Sequence, residues 1–164
     1  MIFVAVGTQG PFDRMLKPID AWAIETGRDD IFAQIGRGAW RPARVRWAEH
    51  VDAAEFRACV ERAELVIAHA GMGTILTAIE LGRPVLVMPR HAALGEQRND
   101  HQVATARKLG ALGLVTVAAD ETELAAQLRN LDGLKAANPK RAGERERLLE
   151  TLRGFLAAGS KGAR

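Results

Sequence analysis

The sequence has a single cysteine, Cys59, no tyrosine, and few aromatic residues, which make up 5% of its 164 positions. One cysteine excludes both an internal disulfide and a cysteine-ligated zinc site. Cys59 lies within a predicted helix, where a free cysteine usually acts as a small buried side chain. This cysteine usage favours a reducing, cytoplasmic setting.

Long hydrophobic runs are also missing. No stretch approaches the roughly 20 apolar residues that a membrane-spanning helix needs. The amino-terminal run MIFVAVG is too short for the apolar region and cleavage site of a signal peptide, and no basic segment precedes it. We therefore expect neither a signal peptide nor a membrane span.

Charge is nearly balanced between the two signs. The chain has 23 basic and 20 acidic residues, which gives a formal net charge of +3. Such a mild excess suits an anionic ligand or an anionic membrane surface, but it is weak support for nucleic acid binding. The basic residues are interspersed with acidic ones, and no aromatic platform for stacking bases is visible. A nucleic-acid-binding domain is therefore the least favoured alternative, and we expect no nucleic acid partner.

Apolar residues make up 48% of the sequence, which is enough for a sizeable core. The length fits one compact domain. We predict a single domain over 1–164, with a linker-like stretch at 133–144, a terminal helix at about 143–158 and a frayed tail. The apolar face of that helix either closes the domain's own core, which we favour, or docks on a partner.

Apolar, partly β-branched runs alternate along the chain with segments of helical periodicity. The predicted strands are 2–6, 30–36, 44–51, 64–69, 84–89 and 113–117, and the predicted helices between and after them are 11–27, 52–63, 73–82, 99–110 and 120–131. This alternation predicts an α/β fold, a Rossmann-like parallel sheet with helices on both faces. Because such sheets bind ligands at the carboxyl ends of their strands, the residues directly after each strand are the candidate site. They are rich in glycine, basic side chains and small donors, which suits an anionic nucleotide.

The stretch HAGMGT, residues 69–74, joins the fourth strand to the next helix. We expect Gly71 and Gly73 to allow positive φ and to leave room for a ligand. Free amides at a helix amino terminus attract phosphate, and the hydroxyl of Thr74 would add a donor. The alternative is a plain strand–helix turn capped by Thr74. The loop is neither a Walker loop nor a dinucleotide fingerprint, because no lysine follows Gly73 and the third glycine is missing.

Three parts of the sequence carry a resemblance: VAVGTQGPFDRML at the start, HAGMGTILTAIELGRPVLVMPR in the middle, and NDHQVATARKLGALG after it. Together they resemble the carboxyl-terminal, donor-binding domain of the family 28 glycosyltransferases, over residues 1 to about 117. The start is similar to the small single-domain members. These include the catalytic subunit of the eukaryotic dolichol-linked UDP-N-acetylglucosamine transferase and bacterial exopolysaccharide glucuronosyltransferase subunits. The segment MPRHAALGEQRNDHQ looks closer to the bacterial subunits.

The resemblance implies a protein equivalent to the carboxyl-terminal half of a GT-B glycosyltransferase. Such a half holds a UDP-sugar, while a membrane-associated partner subunit supplies the lipid-linked acceptor. The implied function is the donor-binding catalytic subunit of a two-component, metal-independent, inverting transferase of hexose-type sugars in polysaccharide synthesis. Without that partner the chain is expected to be inactive, and it is expected to reach the inner face of the membrane through the partner. The alternative is a non-catalytic nucleotide-binding or scaffold subunit of the same complex.

The resemblance also implies site residues. Contacts to the donor diphosphate are expected from Gly7, Thr8, His69, Gly71, Met72, Gly73 and Thr74. Contacts to the sugar or ribose are expected from Thr77, Glu80, Arg90, Arg98, Asn99, Asp100, His101 and Gln102. Arg90 and Arg98 would meet phosphate, or a carboxylate if the donor is a uronic acid. We expect no metal and no cofactor, and the general base that inverting transfer needs is expected from the partner.

One departure from the family concerns the ribose. Many members have glutamate three residues after the position of Thr74, where this sequence has Thr77. Either Thr77 binds the ribose more weakly or Glu80 takes its place. Other positions also have a structural alternative: His69 as a core histidine, His101 as a surface residue, and Asp13 as the cap of the first helix.

Overall fold

A computed structural model gives the structure of residues 1–136, together with Glu146, Leu149, Glu150 and Gly154. Within 1–136 no helix is both long and apolar enough to cross a membrane. The predicted terminal helix and tail lie outside the described residues, apart from these four isolated positions. Leu149 packs against one of the two core clusters.

The centre of the fold is a six-stranded sheet in which every pair of neighbours is parallel. The strands are β1 Ile2–Ala5, β2 Ile31–Gln34, β3 Arg46–Ala48, β4 Leu65–His69, β5 Val85–Met88 and β6 Thr116–Val117. Their order in the sheet is β3-β2-β1-β4-β5-β6. The chain therefore reverses its direction of growth between β1 and β4, and the crevice at that point is where sheets of this kind bind ligands. The predicted Rossmann-like fold is confirmed.

Helices follow the strands as the periodicity predicts. They are α1 Asp13–Thr26, α2 Ala53–Arg62, α3 Met72–Glu80, α4 His101–Ala111, α5 Glu121–Arg129 and α6 Leu131–Ala136. Helix α6 corrects the prediction of a linker from 133, because Leu134 is buried in the core and gives this turn an apolar anchor. Asp52 and Asp120 accept from the amides of Glu55 and Glu123, as expected of amino-terminal caps.

Both faces of the sheet are covered. On β1, Ile2 and Val4 pack into one apolar cluster, and Phe3 and Ala5 pack into the other. This is the period of two that a strand imposes on its side chains. Since all four residues are completely buried, β1 is apolar on both faces, as expected for the interior of a parallel sheet.

Two aspartates of α1 hold the loop that leads from β2 to β3. Asp13 is not the cap of α1, because the cap position is Phe12 and the Asp13 carboxylate accepts from the amide of Trp40 instead. Asp20 is 2% exposed and its carboxylate accepts from the amides of three successive residues, 43–45, at 2.8–3.0 Å. This loop is thereby fixed against α1.

We predict that Asp20→Ala lowers the free energy of unfolding by about 3 kcal/mol, because three backbone amides, of which that of Val45 is buried, lose their charged acceptor. Glu25→Ala is the matched control, since Glu25 lies on the same helix and is exposed. Chemical denaturation of both variants measures the difference. Equal midpoints for the two variants would contradict the assigned role of Asp20.

Candidate functional site

A cleft of about 590 Å³ opens at the carboxyl ends of the strands, across the point where β1 and β4 are neighbours. Of the predicted residues, it brings together Gly7, Thr8, His69, Gly71, Met72, Gly73, Thr74, Thr77, His101 and Gln102. Residues from both halves of the sheet thus meet in one concave surface, as the predicted fold requires.

The imidazole of His69 occupies the floor of this cleft, between two glycines. A Cβ built on either Gly7 or Gly71 would collide with the ring. Gly7 also has a φ of 81°, a conformation that glycine adopts without strain. Both positions therefore need glycine for the sake of the histidine ring that lies between them.

This arrangement corrects the expected role of the glycine pair. Gly71 has a φ of −84°, and Gly73 is not among the glycines with positive φ. Gly71 leaves room for His69 and not for a ligand. Gly73 lies in the first turn of α3, where an added Cβ would meet nothing within 4 Å. Of the two, only Gly73 leaves space that a bound molecule would use.

The amino terminus of α3 faces the same space. The first intrahelical bond is donated by Ile75 to the carbonyl of Gly71, at 3.3 Å. The amides of Met72, Gly73 and Thr74 have no acceptor among residues 1–136, as the first turn of a helix requires. All three residues line the cleft. The partial positive charge of the helix terminus and these donors make the end of α3 suitable for an anion.

Gln102 is the residue that connects the strand ends beneath the cleft. It is 7% exposed, and its Oε1 accepts from the amides of Ala70 and Arg90, both at 3.2 Å. Its Nε2 lies 3.3 Å from Nδ1 of His69. All of its polar atoms are therefore engaged by the protein, although it lines the cleft as the resemblance implies.

His69 is uncharged at neutral pH. Burial and the nearby guanidinium of Arg90 lower its pKa to about 4. Both causes disfavour the imidazolium, because a buried charge loses its hydration and a neighbouring cation repels it. His69 therefore meets a ligand as a neutral hydrogen-bonding group.

The expected contact between Arg90 and a ligand is corrected by the structure. Arg90 is 1% exposed, and its guanidinium donates to the carbonyls of Val6, Gly10 and Pro11 at 2.8–2.9 Å. It also lies 4.5 Å from the ring centroid of Phe12. Its two terminal nitrogens bind the β1–α1 loop, so Arg90 holds the wall of the cleft and does not line it.

The loop between β5 and α4 is ordered by a second arginine. Arg14 forms two parallel bonds with Glu96, at 2.8 and 2.9 Å, and a third with the carbonyl of Pro89. Burial alone would raise the pKa of Glu96, but the hydrogen bonds from Arg14 and the His91 amide, together with the charges of Arg14 and Arg90, outweigh it and the net shift is downward. Asp100 accepts from the amide of Ala92, so it supports this loop and does not line the cleft.

Two further predicted residues, Arg98 and Asn99, lie in a polar recess of about 650 Å³ that shares Gln9, Gln97 and His101 with the cleft. The two spaces are therefore adjoining parts of one site. Of the two alternatives for the ribose, Thr77 lines the cleft, and its hydroxyl donates to the carbonyl of Gly73 at 2.9 Å. Glu80 is exposed and lines neither space.

Sequence reasoning gave no ligand contact to several residues of the cleft: Gln34, His50, Val51, Phe56, Gln97 and Thr105. His50 and Gln97 fall in the candidate stretches after β3 and β5, and Val51 lies three residues beyond the end of β3, so their position after a strand was an available signal. Gln34 is different, because it is the last residue of β2 and lies within the strand predicted over 30–36. Its side chain accepts from the amide of Gly7 and donates to the carbonyl of Gly7. Its role depends on the pairing of β1 with β2, which the sequence does not display.

We predict that Gly71→Ala lowers the free energy of unfolding by about 2 kcal/mol, because the new methyl group must displace the His69 ring from a packed site. The cost should largely disappear in a His69→Ala background, where the ring is gone. A double-mutant cycle by chemical denaturation measures this coupling. Strictly additive effects would contradict the packing of the ring against Gly71.

The sequence matches the family described as "Glycosyltransferase family 28 C-terminal domain" over residues 1–151. Two curated relatives are the UDP-N-acetylglucosamine transferase subunit ALG13 of Homo sapiens and that of Mus musculus. They are 30% identical to this chain over 118 and 117 residues, which is 66% and 65% of it. The aligned part is 10% of the length of either relative.

Solved structures show the same fold. A solution structure of ALG13 has a TM-score of 0.59 at 22% identity, over 90% of this chain and 94% of that one. The glycotransferase of kitacinnamycin has a TM-score of 0.61 at 22% identity, over 96% of this chain and 39% of that chain. MurG from Acinetobacter baumannii has a TM-score of 0.58 at 16% identity, over 93% and 49%. The chain covers less than half of these last two, as expected for one half of a GT-B enzyme. With its Rossmann-like sheet and its match over most of its length, this chain belongs to the family of glycosyltransferase family 28 C-terminal domains.

Proposed function

We propose that the chain is the donor-binding catalytic subunit of a glycosyltransferase that takes a hexose-type sugar from UDP. The observation that carries this proposal is the unbonded first turn of α3, whose amides face the cleft beside the neutral ring of His69. The family of the chain supports the choice of a nucleotide sugar over other anions.

The shape of the site fits a molecule with a phosphate group at its middle. The amides of Met72–Thr74 lie between two parts of the cleft. One part is lined by residues after β3, from His50 to Phe56, and the other by residues after β5, from Gln97 to His101. A UDP-sugar has its diphosphate between uridine and sugar. We place the diphosphate at α3, the sugar towards His101 and Arg98, and the uridine towards Phe56. A uronic acid in the sugar position would find the guanidinium of Arg98.

The proposed reaction is an inverting displacement. An acceptor hydroxyl loses its proton to a base, and its oxygen bonds to the anomeric carbon while the bond from that carbon to the diphosphate oxygen breaks. UDP leaves with the electron pair. Amides fixed at the helix terminus, together with Nε2 of His69, would stabilise the negative charge that develops on the diphosphate. The base and the lipid-linked acceptor are assigned to a partner subunit, and no metal or cofactor takes part in the proposal.

A membrane-associated, acceptor-binding partner is part of the proposal because the two curated relatives are named as subunits. We place this chain in the cytoplasm, recruited to the inner face of the membrane by that partner, in the synthesis of a lipid-linked polysaccharide such as an exopolysaccharide. The alternative is a scaffold subunit that binds nucleotide without catalysing transfer.

Calorimetric titration of the chain with UDP, UDP-N-acetylglucosamine, UDP-glucuronic acid and UDP-glucose tests donor binding, with ADP as the control nucleotide. We predict binding of the uridine compounds and not of ADP. In Gly73→Ala the added methyl group would cost about 1–3 kcal/mol of phosphate contact, or roughly 5- to 150-fold in Kd.

The same substitution should leave the fold intact, because alanine is a better helix former than glycine and the methyl group meets nothing in the free protein. Thermal unfolding of the variant checks this directly. A stable Gly73→Ala variant that binds UDP with unchanged affinity would contradict the placement of the diphosphate at α3.

A transfer assay with the reconstituted pair separates the catalytic subunit from the scaffold. We predict that His69→Ala and Thr74→Ala each lower kcat/KM at least tenfold, the size expected from losing one hydrogen bond to a charged group. Glu80→Ala is the matched control, because Glu80 lies on the same helix as Thr74 but is exposed and lines neither the cleft nor the recess. Unchanged turnover in both His69→Ala and Thr74→Ala would favour the scaffold.

A further inference from the structure

Gln102 occupies a position where the resemblance implies a contact with the donor sugar, but its hydrogen bonds give it another task. We infer that Gln102 is a positioning residue that locks His69 in the tautomer with the proton on Nε2, so that the ring always presents a donor to the cleft. This role of Gln102 applies to the chain without ligand, and only its consequence for nucleotide binding rests on the proposed function.

The orientation of the Gln102 amide is determined by its neighbours. Two backbone N–H groups, those of Ala70 and Arg90, converge on one atom of the amide at 3.2 Å. Only an oxygen accepts from both, so that atom is Oε1 and the other is the NH₂ group. These two amides belong to the ends of β4 and β5, which are paired strands of the sheet. The glutamine side chain is therefore not free to flip.

The tautomer of His69 follows from that orientation. The NH₂ group of Gln102 lies 3.3 Å from Nδ1 of His69, and it donates, so Nδ1 must carry the lone pair. In a neutral imidazole the proton is then on Nε2. Nε2 has no hydrogen-bond partner among residues 1–136, and the ring lines the cleft. The donor is thus held in place before any ligand arrives.

The electrostatic surroundings keep the ring neutral. Arg90 is the charged residue that acts on His69, and together with burial it lowers the pKa to about 4. The other titratable groups that line the cleft are His50, Asp52 and His101, and Glu96 acts on Arg90 from the far side. Because the pKa of His69 is lowered, protonation matters only at acidic pH. Near neutral pH the tautomer decides whether Nε2 donates to an anion or repels it.

The first test is the tautomer itself, in the full chain without ligand. Long-range ¹H–¹⁵N spectra distinguish a protonated ring nitrogen from an unprotonated one. The chain has four histidines, and the loss of one set of signals in His69→Asn assigns His69. We predict a proton on Nε2 and none on Nδ1 at neutral pH. A proton on Nδ1, or an imidazolium, would overturn the inference whether or not the chain binds UDP.

The second test uses Gln102→Glu, which keeps an oxygen for both backbone amides and replaces the NH₂ group by a second oxygen. Nδ1 must then carry the proton, and the adjacent carboxylate should raise the midpoint of His69 titration by about 1–3 pH units. Gln97→Glu is the matched control, because it adds the same charge to the same cleft but has no bond with His69. It should leave the tautomer unchanged.

The consequence for binding is measured with UDP-N-acetylglucosamine, whose diphosphate does not titrate near neutral pH. From about pH 5 to pH 8, a range that includes a His69 midpoint raised by roughly 1–3 pH units from about 4, the wild type and Gln97→Glu should share one pH profile, because His50 and His101 line the cleft in both. Affinity should be uniformly weaker in Gln97→Glu. In Gln102→Glu, affinity should fall at least tenfold further as pH rises, because Nε2 loses its proton. The same profile in Gln102→Glu as in Gln97→Glu would overturn the inference. Failure of the wild type to bind contradicts the proposed function and leaves the tautomer result standing.

Discussion

The site depends most on the hydrogen bonds that the buried guanidinium of Arg90 donates to the β1–α1 loop. Burying a cation without a carboxylate in direct contact is costly, and here the cost is offset by bonds to the carbonyls of Val6, Gly10 and Pro11 and by the ring of Phe12. These contacts fasten the end of β5 to the loop after β1, across β4. These contacts of Arg90 therefore fix the wall of the cleft at the topological switch point.

The fixed positive charge of Arg90 beneath the cleft also sets the chemistry above it. Arg90 helps to hold His69 neutral, while the first turn of α3 adds its own partial positive charge. The resulting field favours an anion, and the groups that would touch that anion are neutral donors. Under the proposed function, this division is what lets a domain with a net charge of only +3 select a diphosphate.

The sequence was sufficient to predict the six strands and helices α1–α5, because burial on both faces of β1 and the caps Asp52 and Asp120 leave local signals, but it did not predict helix α6. Ten of the residues predicted from the sequence do line one cleft, since strand ends meet at one edge of a parallel sheet. Prediction from the sequence failed where the role of a residue depends on packing between distant segments. Gly71 accommodates a ring and not a ligand, and Arg90 is buried beneath the site. Gln102 binds two strand ends, which only the register of β4 and β5 reveals.

A crystal structure of the chain with bound UDP is the most direct test of the proposed donor site. We predict that diphosphate oxygens lie within hydrogen-bond distance of the amides of Gly73 and Thr74 and of Nε2 of His69. We also predict that Arg90 keeps its bonds to the carbonyls of the β1–α1 loop. A diphosphate bound away from α3, or an Arg90 side chain that swings out to meet it, would show that this site is wrongly assigned.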